Sequence, residues 1–244
     1  MDIMFMNLAH RGASHYAPEN TFAAFYKGLE MGANGLETDL RRTNDGVIIL
    51  QHDEQLDRNT NGNGKLSDYT WREVAQLDAG SWFSDFYQGE PLVTLTSFFR
   101  HFARRPVLLA LELKEPGMEK EVSEMIAVWK LYERVTITAF DFEVLQELRR
   151  RDDRVRLGYL TYGWDSKVRD QLAGIRAVQF CPKADLVTVG LVNEVKQAGY
   201  EIRAWGIRKE EQMMSCLQAS IDGMTINYPD RLTEALKASG GSVN

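Results

Sequence analysis

Cysteine is nearly absent from this chain: Cys181 and Cys216 are the only two among its 244 residues. They show no metal-type spacing, which excludes a thiolate zinc site and a disulfide framework. Long apolar runs are missing as well. None approaches the roughly 18 residues that cross a bilayer, so no stable membrane insertion is expected. The stretch before residue 10 is short and lacks a basic region, so it does not read as a secretion signal, and the expected location is the cytoplasm. Positive charge is not in surplus either. The formal net charge is −6, and Arg104-Arg105 and Arg149-Arg150-Arg151 are too short to form a nucleic-acid surface; they read as solvated helix ends. With six prolines and no Pro-, Gly- or Ser-rich linker, nothing divides the chain. A single domain over 1–244 is expected, with Ser239-Gly240-Gly241-Ser242 as a flexible tail.

Histidine is also rare, which makes its placement informative. Two of the four histidines, His10 and His52, end the short apolar runs 4–9 and 47–50, which read as buried strands. Histidine exchanges a proton near neutral pH, so two at strand ends suggest an acid and a base. Glu37 and Asp39 are spaced i, i+2 and leave the same face of a strand. Two carboxylates on one face either repel each other or share a cation. Glu112 and Lys114 repeat that spacing at the end of Ala110-Leu111-Glu112-Leu113-Lys114. A third acidic ligand from a separate strand would complete the oxygen-rich shell that Mg²⁺ or Ca²⁺ prefers.

Apolar Val/Ile/Leu runs alternate with amphipathic stretches along the chain, the rhythm of βα units. A helix is predicted from Asn20 or Thr21 to about residue 31, and others over 118–130, 142–150, 166–172, 184–198, 209–219 and 229–238. Strands are predicted at 135–139, 156–160, 177–180, 201–206 and 224–227. The pattern is that of an α/β fold, a (β/α)₈ TIM barrel with its site at the carboxyl-terminal rim. Adding the runs that end at His10, Asp39, His52 and Lys114 gives nine strands, one too many. Asn44-Asp45-Gly46 is a hairpin-like turn, so the flanking strands are expected to pair antiparallel, with His52 nearly opposite Glu37. Either that hairpin is an irregularity or the 177–180 run is only partly strand. Residues 54–92 lack the strand rhythm and read as a small insertion over the barrel mouth.

The ordered set of motifs is more specific than any one of them. His10-Arg11-Gly12, Pro18-Glu19-Asn20-Thr21, Glu37-x-Asp39, Asp45-Gly46, His52-Asp53, Thr60-x-Gly62-x-Gly64 and Glu112-Leu113-Lys114 come first. Leu77-Asp78-Ala79-Gly80-Ser81-Trp82-Phe83, Trp205 and the 222–230 stretch around Asn227 follow. Together they resemble the glycerophosphodiester phosphodiesterase family over nearly the whole chain. The resemblance implies His10 and His52 as general acid and base, and Glu37, Asp39 and Glu112 as ligands of one divalent cation, Mg²⁺ or Ca²⁺. It also implies Arg11 and Lys114 on the phosphate of a small-molecule substrate, and Trp205 on its glycerol side. The products would be sn-glycerol 3-phosphate and an alcohol such as choline, ethanolamine or glycerol. Attack would come from the substrate's own glycerol hydroxyl, through a cyclic phosphate, or from water.

Competing readings exist for several residues. Glu37 and Asp39 could instead pair with Arg41 and Arg42 on a strand edge. His15 could reach the mouth of the site, whereas His101 reads as structural. A lysophospholipase D-type activity would need a greasy cleft, which Trp82, Phe83, Phe86 and Tyr87 could supply; an inactive binding barrel is the other rival. Phe140, Asp141 and 160–164 are expected to complete the wall beside Trp205. The sequence departs from the family's usual Thr-Val-Asn after the tryptophan, with Gly206-Ile207-Arg208 in its place, and has Val93 where proline is common.

Overall fold

The computed structural model describes residues 5–239. Met4 of the first predicted strand and Gly240, Gly241 and Ser242 of the predicted tail lie outside the described residues. Nine strands form one sheet: β1 (Met6–His10), β2 (Gly35–Arg42), β3 (Ile48–Leu50), β4 (Leu108–Leu113), β5 (Val135–Ala139), β6 (Arg156–Thr161), β7 (Gln179–Pro182), β8 (Glu201–Ala204) and β9 (Gly223–Ile226). They run in the order β1-β9-β8-β7-β6-β5-β4-β2-β3, and β1 also pairs with β2, which closes eight of them into a parallel barrel. The ninth is β3, antiparallel to β2 with Leu40 opposite Leu50. The surplus strand of the sequence is therefore the hairpin arm. Its turn forms as the residues dictate: Gly46 takes φ +86, and its N–H bonds to the carbonyl of Thr43.

Helices cover the barrel: α1 (Phe22–Glu30), α2 (Trp71–Val74), α3 (Leu95–Phe102), α4 (Glu119–Trp129), α5 (Phe142–Arg151), α6 (Ser166–Gly174), α7 (Val189–Gln197), α8 (Glu210–Gln218) and α9 (Pro229–Ala238). Every barrel strand is followed by one of these except that α2 lies inside the 54–92 segment. Three differences from the sequence reading have local causes. The α3 helix is additional, capped by Thr94, with Leu95, Phe98, Phe99 and Phe102 buried at helical spacing. The predicted helix over 184–198 is two elements, a 3-10 turn at Ala184–Leu186 and then α7, because extended Val187 and the cap Thr188 interrupt it. The strand placed at 177–180 is shifted to Gln179–Pro182, since Gln179 is the first residue to pair, opposite Gly158.

Alternation along the strands makes two apolar layers and one polar channel. Outward residues such as Leu36, Leu40, Leu109, Leu111, Ile137, Ile202 and Ile226 pack under the helices in the main core. Inward residues begin with Met6, Leu8 and Ala110 at the amino-terminal end. They pass through buried Gln179, Arg203 and Thr225 and finish with the motif side chains at the rim. Leu56, Leu66, Val74, Ala79 and Leu92 of the 54–92 segment form a separate apolar cluster on Ile49 of β3. Asp45 of the hairpin turn accepts the N–H of Trp71, tying that segment to β3.

The entry to α1 shows why Pro18-Glu19-Asn20-Thr21 is built as it is. Buried Thr21 is the cap: its hydroxyl donates to the Pro18 carbonyl at 2.7 Å and accepts the Ala24 N–H at 3.2 Å. Thr21→Ala is expected to destabilise the protein by about 1–2 kcal/mol, read as a lower urea midpoint with an unchanged slope. A variant with the wild-type midpoint would refute the cap's contribution. Just upstream, Gly12 takes φ +83 with Ala24 so close that a Cβ would lie 2.4 Å from its carbonyl carbon. Only glycine lets the loop after β1 pass under α1.

Candidate active site

Strand register brings the motif residues together before any side chain is considered. The parallel pairing of β1 with β2 puts His10 beside Glu37, and that of β2 with β4 puts Asp39 beside Glu112. The three carboxylates are buried, and one ligand atom from each lies within 4.8 Å of the others; they are the one such group of three among the described residues. Lys114 follows β4, its Nζ 2.6 Å from Glu112 Oε1 and 3.4 Å from Asp39 Oδ1. Arg11 Nε lies 2.9 Å from Asp39 Oδ2, and Arg11 NH1 lies 3.1 Å from Glu19 Oε1. Arg11 holds this position with φ +55, a left-handed conformation that costs a non-glycine residue on the order of 1 kcal/mol. Its N–H donates to the Glu37 carbonyl, which fixes the strained turn.

Each histidine has a different partner. His10 Nδ1 is 2.6 Å from the amide oxygen of Asn227, beyond β9, and its Nε2 is 3.9 Å from Glu37 Oε2. His52, beyond β3, has Nδ1 2.6 Å from the carboxylate oxygen Oδ1 of Asp53. The antiparallel pairing continues from β3 through the Gln51 N–H to the Asp39 carbonyl. His52 therefore enters the pocket just past Asp39, and both it and Glu37 line that pocket. Burial, with the charge of Arg11 beside it, pulls His10 down to about 4. Burial also lowers His52, against the pull of Asp39 and Asp53.

The acidic cluster has the electrostatics of a cation site. Burial, reinforced by the charges of Asp39 and Glu112, pushes the Glu37 carboxyl well above the usual range, and burial raises Glu112 too. Burial works against ionised Asp39 as well, yet Arg11 and Lys114 hold its carboxyl below the usual range. Asp39 Oδ1 is buried with no hydrogen-bond donor; only Lys114 Nζ approaches it. Three hard oxygen ligands, one of them orphaned and one destabilised as an anion, fit a divalent ion such as Mg²⁺ or Ca²⁺. Arg41 and Arg42 do not neutralise the cluster. Arg41 pairs through NH1 with Glu115 at 2.9 Å, and the Arg42 guanidinium donates to the Gly117 carbonyl at 2.8 Å while its backbone N–H donates to Glu115 at 3.0 Å.

These groups face a pocket of about 380 Å³ whose lining includes His10, Arg11, Glu37, His52, Glu112, Lys114 and Trp205. Its far wall is apolar. Phe140 and Tyr162 meet Trp205 edge-on, with centroids at 5.0 and 5.3 Å, and Trp205 is pinned by its Nε1 donating to the Cys181 carbonyl at 3.0 Å. Leu160 and Ile207 also line the pocket, as does the charged Arg208. Of the expected wall residues, Phe140 and Leu160 line the pocket and Tyr162 packs on Phe140 and Trp205; Asp141 caps α5, Trp164 packs on Phe180, and Thr161 and Gly163 bond to each other. Neither His15 nor His101 lines the pocket; His15 lies edge-on to Tyr16, and His101 stacks on Phe22. Trp82, Phe83, Phe86 and Tyr87 pack on one another, and none of them lines the pocket. A second cavity, about 210 Å³, opens at the amino-terminal end of the barrel and shares only Arg203 with the first.

Residues without an assigned role in the sequence reading supply the supporting contacts. Asn20, at φ +58, donates from Nδ2 to Asp39 Oδ2 at 3.2 Å and accepts the Thr38 hydroxyl at 2.8 Å. Glu19, Asp53, Asn227 and Arg58 join them. Glu19, Asn20, Asp53 and Asn227 fall inside the motif strings, which was their signal; Arg58 falls between two of them.

Comparison with known proteins agrees with this geometry. Residues 10–231 match the model of the glycerophosphoryl diester phosphodiesterase family. A glycerophosphodiester phosphodiesterase from Caldanaerobacter subterraneus subsp. tengcongensis is 30% identical over 243 residues, covering 96% of this chain and 98% of the relative. Among solved structures, an Oleispira antarctica phosphodiesterase in complex with its product sn-glycerol-3-phosphate superposes with a TM-score of 0.86 at 27% identity, over 94% of this chain and 96% of that one. A glycerophosphodiester phosphodiesterase from Agrobacterium tumefaciens gives 0.83 at 27% identity, over 93% and 98%. With the match spanning the barrel from His10 to beyond the last strand, this chain belongs to the glycerophosphoryl diester phosphodiesterase family.

Proposed function

We propose that the pocket hydrolyses glycerophosphodiesters to sn-glycerol 3-phosphate and an alcohol, with His10 as general base, His52 as general acid and one divalent cation, Mg²⁺ or Ca²⁺, on Glu37, Asp39 and Glu112. The activity is that of the family; the roles are our reading. The observation that carries it is the pair of histidines, differently partnered, facing a buried acidic cluster across one pocket.

The two histidines are told apart by what holds them. His10 Nδ1 faces a neutral amide oxygen, so it donates its proton there and leaves the Nε2 lone pair free to take a proton from an attacking hydroxyl. His52 Nδ1 faces a carboxylate, which pulls towards the imidazolium against burial and keeps the Nε2–H turned to the departing alcohol. The nucleophile, the substrate's glycerol hydroxyl or water, forms the new P–O bond as the P–O bond to the alcohol breaks. If glycerol attacks, water opens the cyclic phosphate with the two histidines in exchanged roles. Arg11 and Lys114 place cationic donors beside the phosphate oxygens, and the ring of Trp205 offers a flat face to the glycerol carbons. A bound divalent cation supplies concentrated positive charge for the phosphate oxygens as their negative charge grows.

The test is the product. Incubation with glycerophosphocholine or glycerophosphoethanolamine is expected to release sn-glycerol 3-phosphate and the free base, followed by an enzyme-coupled assay for the phosphate ester. Turnover of lysophosphatidylcholine with none of the glycerophosphodiesters would replace this reading by the lysolipid one.

A further inference from the structure

Arg58, in the 54–92 segment, binds two carboxylates at once. Its Nε lies 2.5 Å from Asp53 Oδ2, while NH1 and NH2 fork onto Glu19 at 2.9 and 2.7 Å. Each partner then holds a residue of the pocket. Asp53 grips His52 Nδ1 with its other oxygen, at 2.6 Å, and Glu19 holds Arg11 NH1 at 3.1 Å. Arg11 in turn lies on Asp39. A continuous ionic chain thus runs His52, Asp53, Arg58, Glu19, Arg11, Asp39.

We propose that Arg58 is a positioning residue: through Asp53 it fixes the imidazole of His52, and through Glu19 it fixes Arg11, so that the proton donor and the phosphate clamp form one rigid unit. It does not touch substrate. The need follows from where His52 sits. His10 ends β1, a strand paired on one side with β2 and on the other with β9, whereas His52 trails a three-residue strand at the sheet's edge. A lone Asp53 could swing with it, but an Asp53 pinned at its second oxygen cannot. Glu19 is the stiff end of the clamp, its side chain 9% exposed and held from both sides, while the Arg58 side chain is 43% exposed. An isolated exposed ion pair contributes about 0–1 kcal/mol. Misplacing a catalytic group by about 1 Å can cost about 10²-fold in rate, so the larger effect of Arg58 is on turnover.

The inference rests on His52 as the proton donor, and the experiment separates the two. Wild type, His52→Ala, Arg58→Ala and Arg58→Lys are compared by single-turnover release of the alcohol, before any cyclic phosphate is opened, on sn-glycero-3-phosphocholine and on sn-glycero-3-phospho-4-nitrophenol, whose phenolate departs without a proton. Arg58→Ala is expected to lower that release rate on the choline ester by about 10- to 10²-fold and on the nitrophenyl ester by less than about 3-fold. KM should rise on both esters through Arg11. Added guanidinium ion should restore part of the choline-ester rate, since the vacated position opens to solvent. Arg58→Lys, which keeps the charge but not the fork, should show the same substrate-selective loss and carries the test if the alanine variant does not fold. Selective loss in His52→Ala with equal loss on both esters in the Arg58 variants overturns the inference alone. Equal loss on both esters in His52→Ala overturns the proton-donor assignment beneath it.

Discussion

Alanine at His10 or at His52 is expected to lower kcat by about 10² to 10⁴ while the circular dichroism spectrum and urea midpoint stay close to wild type. The size is that of losing a positioned proton acceptor or donor. The fold survives because neither ring belongs to the apolar core: both are partly exposed in the pocket wall. The pH dependence carries a further sign. A general base must be neutral, and burial holds His10 near 4 rather than 6.5. The acidic limb of kcat/KM set by this base is therefore expected near pH 4, falling as pH drops through that value, and not at the pH 6–7 of an ordinary histidine. Full turnover in either alanine variant would end the acid–base assignment. A limb at pH 6.5 would show instead that the base is a solvated imidazole.

Exhaustive chelation is expected to bring turnover to background, with Mg²⁺ or Ca²⁺ restoring it. The argument is electrostatic and does not depend on the reaction. Glu37, Asp39 and Glu112 crowd three carboxylates into buried space, against the direct contacts of Arg11 and Lys114. Glu37, left without a lysine or arginine partner within 4.0 Å among the described residues, is pushed towards its neutral form. A divalent ion reverses that imbalance, and it should raise Tm in proportion to its binding. Asp39→Asn keeps the shape but removes a charge from the centre of the cluster. It should abolish both the rescue and the ion-dependent rise in Tm. A chelated enzyme at full rate, or an Asp39→Asn protein whose Tm still responds to the ion, would refute the assignment.

Much of this architecture was legible because it is periodic. Strand–helix alternation predicts the barrel, and the i, i+2 spacing of Glu37 and Asp39 predicts that they share a face. Parallel register then turns separate motifs into neighbours, as with Asp39 beside Glu112. The surplus ninth strand was visible too, and Asn44-Asp45-Gly46 marked the pairing to be antiparallel. What spacing does not carry is lateral contact. Glu19 and Arg58 are 39 residues apart, and nothing periodic links a residue at the entry to α1 with one in an irregular segment. The partner of His10 is more distant still, 217 residues along the chain. The helix α3 had a readable cap in Thr94 and readable spacing in its phenylalanines, but phenylalanine is only a middling helix former, and eight residues give propensity little to sum.

That 217-residue separation has a consequence for how the molecule comes to be active. His10 lies on the first strand and its Asn227 partner just past the last, brought together where β1 meets β9. A chain emerging from the ribosome carries His10, the three carboxylates and Arg58 long before it carries the amide of Asn227. Closing so long a loop is costly in entropy and slow compared with local pairing. The seam of the barrel therefore makes the chemistry a late event of folding, and a chain stalled short of closure holds nearly every part of the machinery without its alignment.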